Sequence, residues 1–235
     1  MAPIRLGRAV TRNTLIPRGT MTQPPRDPER SANAESVIEH YGAAPLTVRI
    51  NDALKRAGLG EGVVPWQELA ALDQFHVRGL TASRELADAM KLAPSASILD
   101  VGCGIGGSSR FLAATYDANV TGIDLTPSFI EAAIMLSERA GLANVTHFAV
   151  ADAVDLPYDD MSFDHAWTQH VAMNIHDRRG LYNEMHRVIK PGGLFAIHDI
   201  VEGDGGAIQF PVPWARDQTT SHLLSSDAMR EALKH

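Results

Sequence analysis

One cysteine, Cys103, is all the chain contains, so no disulfide can form within it and a reducing, cytoplasmic setting fits. No stretch reaches the ~20 apolar residues that a bilayer-spanning helix needs, which argues against a helical membrane span. Positive charge is in deficit. The 21 Lys and Arg against 28 Asp and Glu leave a net charge of −7, which gives no electrostatic reason to expect nucleic-acid binding. The scattered histidines and acids lack the spacing of a metal site, and none is expected. Acid is missing altogether from the first twenty residues, where Arg5, Arg8, Arg12 and Arg18 stand. Such a charge pattern resembles an organelle transit peptide without its serines. The plainer expectation is a disordered leader over residues 1–30, ahead of a start at Met21 and prolonged by Pro24, Pro25 and Pro28.

What is present suits a soluble α/β protein. The 235 residues, 45% of them hydrophobic, suffice for one sizeable core plus an appendage. Residues 31–94 carry helical patterns without strand alternation and are expected to form a helical lid. A first helix runs from Ser31 or Asn33 to Tyr41, a second over Leu46 to Leu59, a third opens at Pro65, and a fourth is capped by Thr81. From residue 95 to 235 strands and helices alternate. Strands are expected at Ser97–Val101, Asn119–Ile123, Val145–Val150, Phe163–Thr168 and Leu194–Val201. Helices are expected at Ser108–Tyr116, after Thr126-Pro127, and around Leu181–Ile189, stopped by Pro191-Gly192-Gly193. This is the pattern of a doubly wound, mostly parallel sheet, whose ligands sit beyond the carboxyl ends of the strands. Asp100, Asp124, Asp152 and the pair Gln169-His170 all fall at those ends.

The run Ile98–Gly107 sets a carboxylate beside a glycine-rich turn that opens a helix, where bare backbone N–H groups can meet a ligand. Gly102, Gly104 and Gly107 also satisfy G-x-G-x-x-G, and Asp124 could accept from ribose hydroxyls, so a nicotinamide dinucleotide must be weighed. Asp100 argues against it. A fixed negative charge two residues before the first glycine opposes a pyrophosphate and attracts an ammonium group. A nucleoside with a cationic amino-acid end, S-adenosylmethionine, is the ligand this implies. Asp152 could accept from the adenine amino group, with the neighbouring backbone N–H reaching a ring nitrogen. Cys103 reads as a small filler of the turn, since nothing visible would lower its pKa.

With these residues in hand the chain resembles a class I S-adenosylmethionine-dependent methyltransferase. The resemblance rests on ILDVGCGIGG at 98–107, VTGIDLTPSFIEAA at 120–133, the Ala151-Asp152-Ala153 step, SFDHAWTQHVAMNI at 162–175 and HRVIKPGGLFAIHD at 186–199. It implies that Asp100 and the turn of Gly102, Cys103, Gly104 and Gly106 hold the methionyl part of the cofactor. It further implies that Asp124 holds the ribose and Leu125 packs on the adenine, that Asp152 and Ala153 read the adenine edge, and that Gln169 faces the sulfonium. WTQHVAMNI, FPVPWA at 210–215 and DQFHVRG at 73–79 are similar to sarcosine/dimethylglycine N-methyltransferases and to ubiquinone- and tocopherol-type C-methyltransferases. A small-molecule acceptor follows, either the amine of a glycine derivative or a carbon or oxygen of a phenol or isoprenoid.

His170 and Asn174 are the candidate catalytic residues. A neutral imidazole beside Gln169 could orient an acceptor or take its proton, or serve as a supporting hydrogen-bond partner. Asn174 could bond substrate or backbone. His76 belongs to the lid, His176 reads as a surface residue at a helix start, and His198 as core-lining. Residues 202–218, with Phe210, Pro211, Pro213 and Trp214, are expected to wall the acceptor pocket. Trp214 either faces a methylammonium or simply packs. Family members usually add two antiparallel strands after the fifth; here the expectation is that this pair is missing. The fifth strand would then be an open edge, with homo-oligomer formation or a cofactor-binding remnant without turnover as consequences.

Overall fold

The computed structural model describes residues 46–234; the expected leader and the helix from Ser31 to Tyr41 lie outside the described residues. Three helices come first: α1 (Leu46–Arg56), α2 (Trp66–Asp73) and α3 (Gly79–Met90). Five strands follow, β1 (Ser97–Val101), β2 (Asn119–Asp124), β3 (Thr146–Val150), β4 (Phe163–Gln169) and β5 (Ile189–His198). They are interleaved with α4 (Gly107–Tyr116), α5 (Pro127–Arg139) and α6 (Arg178–Val188), and α7 (Ser226–Ala232) comes last. All pairings are parallel, in the order β3-β2-β1-β4-β5. The order reverses between β1 and β4, which is where a doubly wound sheet binds ligands.

Side-chain alternation divides the core. Leu99, Val101, Ile123 and Ala166 point to the side covered by α6, where Leu181, Met185 and Val188 are buried. Ile98, Val120 and Trp167 point to the other, against Leu86 and Met90 of α3 and Phe111 and Leu112 of α4. Asp100 pairs in register with Gly122 and Trp167, and therefore shares their face. Asp124 and Gln169, each two residues further along, share it too. Period-two geometry thus gathers the three polar strand ends on the α3–α4 side of the sheet.

Helix α1 packs on α5 through Ile50, Leu54, Ala132 and Leu136, while α2 packs on α4, with Trp66 edge-on to Phe111 at 5.8 Å and Leu69 reaching into the α1–α5 cluster; Val64 N–H donates to Arg139 O at 2.7 Å. Helix α3 instead lies on the sheet itself. Two helix starts differ from expectation. Pro65 stands one residue ahead of α2, and α3 begins before Thr81, at Gly79, where Arg78 turns in the left-handed region at φ +70° and is tied to Glu85 at 2.6 Å. The Pro191-Gly192-Gly193 step lies inside β5 rather than before it. Ile189 already pairs with Phe163, and the register resumes at His165–Leu194 after a bulge. Gly192 at φ +85° turns the bulge, and a Cβ on Gly193 would strike the carbonyl of Asp164.

Candidate functional site

A cavity of about 1220 Å³ opens over the carboxyl ends of the strands. The β1–α4 turn forms its floor. Gly102 (φ +69°), Gly104 (φ +54°) and Gly106 (φ +83°) occupy the left-handed region that side chains disfavour, and a Cβ on Gly102 would collide with Val171. The turn is fastened to β2: Cys103 N–H donates to Ile123 O at 2.9 Å and Gly104 N–H to Asp124 Oδ2 at 3.0 Å. The other oxygen of Asp124 accepts from Thr126 N–H at 2.9 Å.

Asp100, Gly102, Cys103, Gly104, Asp124, Leu125, Asp152, Ala153, Gln169, His170 and Asn174 all line this one cavity. Gly106 does not; it is packed beneath the turn, where a Cβ would meet Phe148 and Arg110. Asp100 is buried and accepts from Ser109 Oγ at 2.6 Å. Burial, with the charge of Asp124 adding, pushes its carboxyl up to about 7, and burial raises Asp124 as well. Two adjacent carboxylates resisting ionisation make a site that welcomes an external cation and repels a pyrophosphate. The donor set therefore fits the ammonium end of S-adenosylmethionine. Cys103 is buried with its thiol pushed well above its ordinary value, first by burial and then by Asp100, so it is no nucleophile. Asp152 folds its own loop by accepting from Val154 N–H at 3.1 Å.

Gln169 is the hub of the β4 end. Its Oε1 accepts from Ser108 Oγ at 2.8 Å and Ser83 Oγ at 3.1 Å, joining α4 and α3, while Nε2 lies 3.3 Å from His198 Nδ1. Ser83 also meets His76 Nε2 at 3.1 Å, and His76 meets Gln74 Oε1 at 2.9 Å. His76, His170 and His198 form one cluster, with ring centroids 5.1 to 6.1 Å apart. Burial lowers all three. His76 and His170 come down to about 4, so the imidazoles are neutral near neutral pH. Among the described residues no group of three or more His, Cys, Asp or Glu is arranged to hold a metal ion. His170 sits in the left-handed region at φ +56°, its N–H held by His198 O at 2.8 Å, and its Nε2 is buried without a hydrogen-bond partner. Strain of this kind persists only where surrounding structure enforces it, commonly at ligand sites.

Asn174, expected to bond substrate or backbone, lines the cavity and bonds backbone. Its amide donates to Trp214 O at 2.9 Å and Thr220 O at 2.7 Å, so both its hydrogens tie the 214–220 loop to the cavity wall. Pro213 and Trp214 of the expected loop do line the cavity, and Trp214 Nε1 donates to Ser221 Oγ at 3.1 Å; Phe210 and Pro211 do not line it. Exposed His176 precedes α6, as expected of a helix start. Three residues escaped sequence reasoning. Arg110, buried in α4, pairs with Asp73 at 2.7 Å and donates to Ile105 O at 2.7 Å and Ser137 Oγ at 3.0 Å, clamping α2 and α5 to the glycine turn. Ser83 had no motif to mark it. Asp199, buried and pushed up to about 6, accepts from Met173 N–H at 2.8 Å and holds the 172–174 turn. Its place one residue beyond β5 was the signal that could have found it.

Residues 99–197 match a family described as a methyltransferase domain. The chain is 43% identical over 108 residues to 2-methyl-6-phytyl-1,4-hydroquinone methyltransferase of Synechocystis, covering 46% of this chain and 33% of that protein. It is 34% identical over 139 residues to phosphoethanolamine N-methyltransferase 1 of Arabidopsis thaliana, covering 59% and 28%. The chain thus spans about a third of the length of these relatives. A solved structure described as a sarcosine dimethylglycine methyltransferase from Galdieria sulphuraria superposes with a TM-score of 0.52 at 28% identity, over 54% of this chain and 48% of that one.

Proposed function

We propose that this chain, whose residues 99–197 match a methyltransferase domain, is a class I S-adenosylmethionine-dependent methyltransferase that transfers a methyl group to a small-molecule acceptor. The observation that carries the reading is Asp100, buried at the foot of the glycine turn beside a second carboxylate and open to the cavity. S-adenosylmethionine, when bound, supplies a methyl on a sulfonium already activated for in-line displacement. The protein's share is to hold, align and exclude water, and alignment of this kind contributes ~7–11 kcal/mol.

Asp100 would take the ammonium end over the turn of Gly102, Cys103 and Gly104, with Gly106 shaping that turn from beneath. Asp124 would accept from the ribose hydroxyls, Leu125 would pack on the adenine, and Asp152 with Ala153 would meet its edge. Gln169, fixed by Ser83 and Ser108, would face the sulfonium end. His170 lines the cavity with a buried ring nitrogen left unpartnered, which suits contact with the acceptor's nucleophilic group. Asn174 supports the wall rather than the chemistry. The relatives include enzymes named for nitrogen and for hydroquinone acceptors, so both a glycine-derived amine and a ring carbon or oxygen belong to this reading. The single buried thiol suits a cytoplasmic setting; among the described residues no helix is long and apolar enough to cross a membrane.

Calorimetric titration with S-adenosylhomocysteine and, separately, NADH tests the cofactor. Tight binding of the first and none of the second is expected; NADH binding alone would overturn the proposal. Radiolabelled cofactor with a panel of amines and phenols then tests transfer.

A further inference from the structure

The cavity is larger than one ligand requires. Pockets for single drug-sized molecules occupy ~300–1,000 Å³, and this one holds about 1220 Å³. The polar groups assigned to the cofactor sit at the ends of β1 to β4, and the wall beyond them changes character. Ile50, Leu72 and Phe75 come from the helical segment, Met173 from the turn after β4, and Trp214 and Leu224 from the following loops. Phe75 is 83% exposed among the described residues, an aromatic ring standing at the cavity. Isolated exposed apolar residues are ordinary, but one that completes an apolar cavity wall marks a surface for an apolar ligand.

Charge points the same way. A glycine-derived acceptor carries a carboxylate and needs a cation to meet it. Among the described residues two arginines line the cavity. Arg178 is already engaged, donating to Ile175 O at 3.2 Å and His222 O at 3.0 Å with Asp199 3.9 Å away, and Arg179 is exposed at the rim. The other charged groups at the cavity offer an anion nothing: Asp100, Asp124 and Asp152 belong to the cofactor half, Asp73 is paired with Arg110 at 2.7 Å, Asp177 is an exposed acid, and the half-buried imidazoles of His76 and His170 are neutral.

We infer that the acceptor is an uncharged, largely apolar molecule, an aryl or prenyl compound whose ring or chain fills the wall from Phe75 to Trp214, and not a glycine-derived amino acid. The inference rests on the methyl-transfer reading and names its substrate class. The test uses the full chain saturated with S-adenosylhomocysteine, whose binding is measured first. Nile red, an uncharged apolar dye, is then titrated and followed by fluorescence. Saturable binding is expected, undisturbed by excess sarcosine or dimethylglycine. Phe75→Glu is expected to weaken the dye by about tenfold, equivalent to one decade in Kd, while S-adenosylhomocysteine still binds. Because Phe75 is exposed, that variant should fold; Phe75→Ser is the milder second variant, expected to weaken the dye less. No saturable dye binding to the S-adenosylhomocysteine-bound protein, dye binding indifferent to both variants, or label transfer to either glycine derivative overturns the inference and leaves methyl transfer standing. Failure of S-adenosylhomocysteine itself to bind overturns the underlying reading, and the inference with it.

Discussion

Asp100 owes its properties to where period-two alternation turns it. One residue earlier or later on β1 would face α6; at position 100 the carboxylate enters the α3–α4 face, next to Ser109 and near Asp124. The consequence for pH is definite in sign. Burial raises the carboxyl from 3.8 to about 7, so the folded, ligand-free protein binds a proton there that the unfolded chain releases. This group therefore contributes stability that is present at low pH and lost as pH rises between those values. An ammonium partner favours the charged form, so ligand binding expels that proton below pH 7. The affinity for S-adenosylhomocysteine is expected to fall as pH drops below about 7, by up to about tenfold per unit, and Asp100→Asn should flatten the dependence as well as weaken binding. Calorimetry across pH 5 to 8 (roughly the range that brackets this transition) measures it; an unchanged slope in the variant would remove Asp100 from the site. Other residues were legible less fully. Asn174 was recognisable as important, yet only folding decided that backbone carbonyls 40 and 46 positions away would take its hydrogens.

Among the elements, α2 and α4 are held together by the buried pair of Asp73 and Arg110, with side chains 3% and 1% exposed. Burial raises Asp73 despite the arginine and lowers Arg110 despite the aspartate, so desolvation outweighs their attraction. The pair is thus better understood as fixing geometry than as adding stability: it seats the end of α2 on Gly107, where a Cβ would meet Asp73 itself. Arg110→Ala should destabilise by ~3–5 kcal/mol, because it strands a buried carboxylate, whereas Arg110→Met with Asp73→Leu should recover most of that loss. Urea midpoints of the two variants decide the matter, and equal midpoints would refute the desolvation argument. No local signal announced this clamp. Arg110 reads as an ordinary helix residue until α2 and α5 are folded around it.

For the molecule as a whole, the cavity joins residues from the first described helix to the last, so occupying it should couple distant elements. At about a hundredfold excess over Kd, S-adenosylhomocysteine should add ~2.7 kcal/mol of stability and raise the melting temperature by ~5–10 °C. NADH at the same concentration should leave it unmoved; the reverse pattern in a thermal-shift assay would contradict the cofactor assignment. By itself the sequence determined the alternation of strands and helices, the glycine turn after β1 and the acids at the strand ends, because side-chain periodicity and backbone sterics act over a few residues and leave their mark locally. Only tertiary structure decided that Ser83 and Ser108 fix Gln169, that three histidines from separate segments meet, and that α3 joins the sheet while α1 rests on α5 and α2 on α4. Those facts depend on contacts between residues far apart in the chain, and no local pattern encodes which distant faces packing will bring together.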